Sequence, residues 1–121
     1  MKNTVILLLF LTTLLSCTTQ QTSAEQTASI PALVLSPETT LVDVRIPEQY
    51  ETATAKSAVN IPLADIEKNL DFFRKQKQTV VFCNSGRQAD QAIKILRKKG
   101  IKNVYDGTSL RNIKAIQATS K

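Results

Sequence analysis

Residues 79–100 read TVVFCNSGRQADQAIKILRKKG, and their pattern changes period halfway. Thr79-Val80-Val81-Phe82 is a β-branched and aromatic run of strand character. Arg87 to Lys99 then places Ala89, Ala92, Ile93 and Leu96 on one helical face, and Gly100 supplies the stop. A thiol, Cys83, stands where the strand gives way to the helix. The same alternation extends outward in both directions. Thr40 to Val44 predicts a strand, and Pro47-Glu48-Gln49-Tyr50-Glu51 a short helix, with Pro in its first turn and Glu at its positive end. Ala58 to Ile61, before Pro62, predicts a second strand. Asp65 to Lys75 spaces Ile66, Leu70 and Phe73 as a helix does. Downstream, Ile101 to Tyr105 predicts a last strand and Leu110 to Ala118 a last helix with Ile113 and Ile116 inward. Four strand-helix units of this length define an α/β fold: one domain with a small, parallel, twisted sheet flanked by helices on both faces. Such sheets bind ligands beyond the carboxyl ends of their strands, which is where Cys83 falls.

The chain has 121 residues, 42% of them apolar, with no Trp, four Phe and two Tyr, so it holds one modest core. Its formal charge of +6 favours anionic partners. There is no His, which excludes Cys-His and Ser-His-Asp nucleophile systems and His-ligated zinc.

The amino terminus has the layout of an export signal. Lys2 precedes an uncharged apolar run from Val5 to Leu15, ending in Leu14-Leu15-Ser16-Cys17. Thr4 to Ser16 spans only about 20 Å as a helix, short of the roughly 30 Å of a bilayer core. Leu14-Leu15-Ser16-Cys17 resembles the bacterial lipobox, whose Cys is acylated and becomes the first residue of the mature protein; the plainer alternative is a secretory signal in which Cys17 is incidental. On the lipoprotein reading, residues 1–16 are the signal peptide, and 17–29, rich in Thr, Gln, Ser and Ala, are the lipidated Cys17 and a flexible tether. Residues 30–121 are the folded domain. The expected location is the bacterial cell envelope, anchored on its periplasmic side, and the outer membrane in a Gram-negative cell because Thr18 rather than Asp follows Cys17. With Cys17 lipidated, Cys83 is the only free thiol, and a disulfide within the chain is ruled out.

Physical chemistry gives the Cys83 loop a task. Successive main-chain N–H groups in such a turn can converge on one point, the helix adds its positive end, and Gly86 permits a backbone conformation that a side chain obstructs. A sulfur held there is favoured as thiolate without any imidazole. Arg87 adds a permanent charge that can stabilise the thiolate or grip a dianion with its planar fork.

Three blocks, Asp43-Val44-Arg45-Ile46-Pro47-Glu48-Gln49-Tyr50, Ala58-Val59-Asn60-Ile61-Pro62-Leu63 and Val81-Phe82-Cys83-Asn84-Ser85-Gly86-Arg87-Gln88, resemble in order and spacing the rhodanese-like domain family. The likeness is to its short, exported, single-domain members of the phage-shock type in particular. It implies a thiosulfate sulfurtransferase: Cys83 takes the outer sulfur of thiosulfate or a similar anionic donor as a persulfide, and passes it to an acceptor such as cyanide or a thiol. Asn84, Ser85, Gly86, Arg87 and Gln88 would bind substrate. Asp43 and Arg45, two residues apart on a strand, share a face and can pair there, so they are expected to support the loop rather than react. This chemistry needs no cofactor and no metal, and export removes the domain from nucleic acid. The basic run Lys94, Arg97, Lys98, Lys99 and Lys102 then reads as a solvated face that complements a helix end. No protein partner is assigned.

The chain also departs from the family pattern. Ala53-Thr54-Ala55-Lys56-Ser57-Ala58 stands where Gly-His-Ile-x-Gly-Ala is frequent, Thr108-Ser109 where paired Gly precedes the last helix, and Ala89 where a capping Ser is common. The first substitution is expected to reshape its turn and the third to weaken a helix cap. A phosphatase of the same fold would need Arg six residues beyond the Cys, where this chain has Ala89. The other alternative is a catalytically weak module of this family that binds sulfur species or a protein at the envelope.

Overall fold

The computed structural model describes residues 28–120. The apolar amino-terminal run, Cys17 and most of the tether lie outside the described residues. In order, the elements are α1 (Ile30–Leu35), β1 (Thr39–Asp43), α2 (Pro47–Thr52), β2 (Val59–Asn60), a 3-10 segment (Leu63–Asn69) running into α3 (Leu70–Lys75), β3 (Gln78–Cys83), α4 (Arg87–Lys98), β4 (Val104–Ser109) and α5 (Leu110–Ala118). The four strands form one parallel sheet in the order β2-β1-β3-β4.

Side chains alternate across each strand, and both faces are covered. Val42, Val44, Val81, Cys83 and Val104 pack with Ile66, Phe73, Ala89, Ala92, Ile93 and Leu96 on one face. Leu41, Val80 and Phe82 pack with Leu33, Val34, Ala55, Ala58 and Ile113 on the other. Central β3 is therefore apolar on consecutive positions, as a parallel strand buried on both sides must be. Phe73, Phe82, Leu96 and Ile113 are wholly buried, each stabilising the fold by about 2 kcal/mol relative to exposure.

Three elements differ from the sequence expectation, each for a local reason. Helix α1 was not foreseen; Pro31 in its first turn and the Ser29 hydroxyl, which accepts the Ala32 N–H, start a helix too short to show periodicity. The helix expected over 65–75 is divided, because Asn69 leaves helical geometry and its side-chain amide donates to the Asp65 carbonyl at 2.8 Å. The last strand begins at Val104 rather than Ile101. Gly100, at φ 85°, and Ile101 donate to the Arg97 and Leu96 carbonyls, both at 3.0 Å, so Ile101 closes a Schellman cap on α4 instead of opening β4.

Strand β4 carries a bulge. Val81 pairs with Asp106 and Phe82 with Thr108, leaving Gly107 as the extra residue. A Cβ at Gly107 would lie 2.6 Å from Val80 Cγ1 and 2.7 Å from Ile113 Cδ1, both core side chains. Gly107→Ala is accordingly expected to destabilise the domain by about 1–3 kcal/mol through overpacking. A lowered urea midpoint at unchanged slope is the signature; an unshifted midpoint would mean that the bulge yields freely.

Candidate active site

Cys83 ends β3 opposite Ser109 of β4, with Gly86 as the N-cap of α4 three residues on. The Gly86 N–H donates to Cys83 Sγ at an N···S distance of 3.0 Å, and the thiol donates in turn to the Thr108 carbonyl at 3.7 Å. The sulfur thus accepts one main-chain hydrogen bond and donates another. Gly86 sits at φ 94°, and a Cβ there would stand 3.0 Å from Thr108 Cγ2. The tight turn that aims the N–H at sulfur thus depends on both the backbone freedom and the missing side chain of glycine.

Above the sulfur lies a cavity of about 340 Å³ lined by Gln49, Cys83, Asn84, Ser85, Arg87 and Gln88. Cys83 as a residue is 1% exposed, so its sulfur forms the floor of the cavity rather than projecting into solvent. Arg87, the first residue of α4, is exposed and makes no ion pair among the described residues. Among the described residues, the only formal cation lining this cavity is therefore available to an anion.

Asp43 and Arg45 lie to one side and do not line the cavity. The Arg45 guanidinium reaches both Asp43 oxygens, Nε at 3.0 and 3.1 Å and the terminal nitrogen at 2.7 Å, and that same nitrogen donates to the Ala53 carbonyl at 2.6 Å. Asp43 also accepts from the Arg45 main-chain N–H and the Thr54 hydroxyl. Asn60 adds two amide donations, to the carbonyls of Asp43 and Arg45. Hydrogen bonding to Asp43 raises the Arg45 pKa against the opposing effect of burial, and the Asp43 and Cys83 charges add to the rise. The pair ties the carboxyl end of β1 to the segments at Ala53–Thr54 and β2.

The structure thus brings Asn84, Ser85, Arg87 and Gln88 around Cys83, has Gly86 contribute its N–H, and sets Asp43 and Arg45 aside as a buried ion pair. Two neighbours of the site were missed in the sequence. Gln49 enters the cavity from α2, a helix of six residues whose orientation no periodicity reveals. Thr108 touches the sulfur only because the β4 bulge turns it there. One expectation needs correction: Ala89 is a fully buried core residue within α4, whose cap is Gly86, so no capping acceptor is lost at that position.

A parallel α/β domain whose one cysteine among the described residues stands at the strand-to-helix turn of an interior strand, beside a cavity lined by Arg87, has the layout of a thiol-based group-transfer site. The chain belongs to the rhodanese-like domain family, whose model matches residues 19–107. It is 36% identical over 74 residues to thiosulfate sulfurtransferase PspE of Escherichia coli, covering 60% of this chain and 71% of that protein. It is 33% identical over 93 residues to the putative sulfur carrier protein YrkF of Bacillus subtilis, of which it spans 50%. Among solved structures, a rhodanese with anions from E. coli superimposes with a TM-score of 0.57 at 34% identity, over 61% of this chain and 89% of the other. A rhodanese-like domain from Anabaena does so with a TM-score of 0.58 at 26% identity, over 64% and 91%.

Proposed function

We propose that the protein is a sulfurtransferase that carries sulfane sulfur from thiosulfate, or a similar anion, to a thiol or cyanide through a persulfide on Cys83. The observation that carries this reading is the Gly86 N–H on Cys83 Sγ at the floor of a cavity lined by Arg87, which has no ion-pair partner among the described residues. In the first half-reaction the Cys83 thiolate attacks the outer sulfur of thiosulfate; a new S–S bond forms, the bond to the sulfonate sulfur breaks, and sulfite leaves with that electron pair. Charge is conserved, since the persulfide keeps one negative charge and sulfite takes two. Arg87 orients the dianion, and the loop N–H steadies the anionic sulfur where an imidazole would do so in a cysteine hydrolase. In the second half-reaction an acceptor nucleophile takes the outer sulfur and restores the thiolate.

The likeness to the B. subtilis putative sulfur carrier protein supports a second reading, a carrier that loads sulfur but turns over slowly. Mass spectrometry with a turnover assay separates the two. Incubation with thiosulfate is expected to add about 32 Da at Cys83, and cyanide is expected to remove it with thiocyanate released repeatedly. A carrier loads but fails to cycle; absence of the added sulfur sinks both readings. We further propose that the domain is anchored on the periplasmic side of the cell envelope through acylated Cys17, which the same spectra test through the mass of the amino-terminal peptide.

A further inference from the structure

Gln49 lines more than the space over Cys83. That residue also lines an adjoining shallow depression of about 340 Å³, walled by Arg45, Glu48, Thr52 and Ala53. Two charged residues belong to this second lobe, and they are not equivalent. Arg45 is buried and committed to Asp43 at 2.7 Å. Glu48 is exposed and has no ion-pair partner among the described residues. Next to the sulfur, the uncompensated charge is the cation of Arg87; beyond Gln49 it is the carboxylate of Glu48. Two depressions that share the neutral Gln49 amide thus carry, among the described residues, unpaired charges of opposite sign.

We propose that the second lobe is the acceptor subsite and that it selects small aminothiols, with Glu48 as the specificity-determining residue. This rests on the sulfur-transfer reading above. A dianionic donor is repelled from Glu48 and held by Arg87, whereas an acceptor bearing an ammonium group places that group against Glu48 and its sulfur over Cys83. The acceptor, ionised by loss of its proton to solvent, attacks the outer sulfur of the Cys83 persulfide. One S–S bond forms on the acceptor, the one on Cys83 breaks, and Cys83 leaves as thiolate, so no oxidant or reductant is consumed. Gln49, able to donate and accept without charge, suits a wall that both substrates face.

The test loads the purified full chain with thiosulfate and follows persulfide discharge by cysteamine, 2-mercaptoethanol and 3-mercaptopropionate, in the wild type and in Glu48→Gln. Intrinsic thiol reactivity cancels when each acceptor is compared with itself across the two proteins. The variant is expected to slow cysteamine by about threefold to fivefold, to leave mercaptoethanol within about twofold, and to speed mercaptopropionate. Loading by thiosulfate should not slow. In the wild type, raising salt to about 0.5 M should erode the preference for cysteamine, a readout that holds even if the variant fails to fold. Equal ratios for the three thiols, with no salt effect, overturn the subsite while leaving sulfur transfer intact. A wild type that takes no sulfur from thiosulfate overturns the sulfur-transfer reading, and the subsite falls with it.

Discussion

Cys83→Ser is expected to abolish thiosulfate-dependent thiocyanate formation, a fall of at least about a thousandfold, while the domain stays folded. The two parts of the expectation have different origins. Activity disappears because the reaction needs an atom that can form, hold and release an S–S bond; a serine oxygen at neutral pH is neither ionised nor able to carry sulfane sulfur. The fold persists because the exchange is nearly isosteric and keeps both polar contacts. The hydroxyl can accept the Gly86 N–H and donate to the Thr108 carbonyl, the same partners that Sγ has. The penalty is the burial of a more polar atom in a site that already supplies a donor and an acceptor, so the stability change should stay within about 1 kcal/mol. Thiocyanate release and a thermal melt on the same preparation check both halves. Undiminished turnover in the substituted protein would show that the sulfur is carried elsewhere; a lost fold would show that Cys83 is chiefly a core residue.

The core of this architecture was legible because burial on both faces of β3 and one apolar face on α4 are statements a sequence makes directly. Ala89, Ala92, Ile93 and Leu96 share a helical face in the sequence and are all buried in the structure. The thiol at the strand end followed from the same two segments. What stayed hidden depends on backbone conformation that side-chain type does not announce. Ser57 and Thr108 are the non-glycine residues with positive φ among those described, at 64° and 69°. Each falls where the family pattern has glycine, so a left-handed backbone stands here without its usual marker. For a β-branched residue such as Thr108 that conformation costs about 1–2 kcal/mol, and Asp106 helps to hold it by accepting the Thr108 N–H at 2.7 Å. Nothing in Asp106-Gly107-Thr108-Ser109 taken alone shows that a carbonyl from this segment will face the nucleophile. Gln49 was obscure for a related reason: six residues of α2 are too few to display a face.

Asp43→Ala is expected to cost about 3–5 kcal/mol, the largest stability loss of any single substitution proposed for this chain. The carboxylate is wholly buried and is the acceptor for two Arg45 side-chain nitrogens, the Arg45 main-chain N–H and the Thr54 hydroxyl. Removing it leaves a guanidinium below the surface with one remaining protein acceptor, the Ala53 carbonyl. Domains of this size are stable by only about 5–15 kcal/mol, so the variant should unfold at markedly lower urea concentration and temperature. The paired substitution Asp43→Leu with Arg45→Met behaves differently, because it removes both charges and returns apolar volume. Its stability should lie within about 2 kcal/mol of wild type, as buried ion pairs replaced by packed side chains often do. That double variant also separates structure from chemistry. If the pair only braces the end of β1, the folded double variant will still load sulfur from thiosulfate at a rate within about tenfold of wild type. If the Arg45 charge is needed to steady the persulfide, loading will fall by far more in a protein that melts normally. The buried position of Arg45, its saturation by Asp43 and its absence from the cavity wall favour the first outcome.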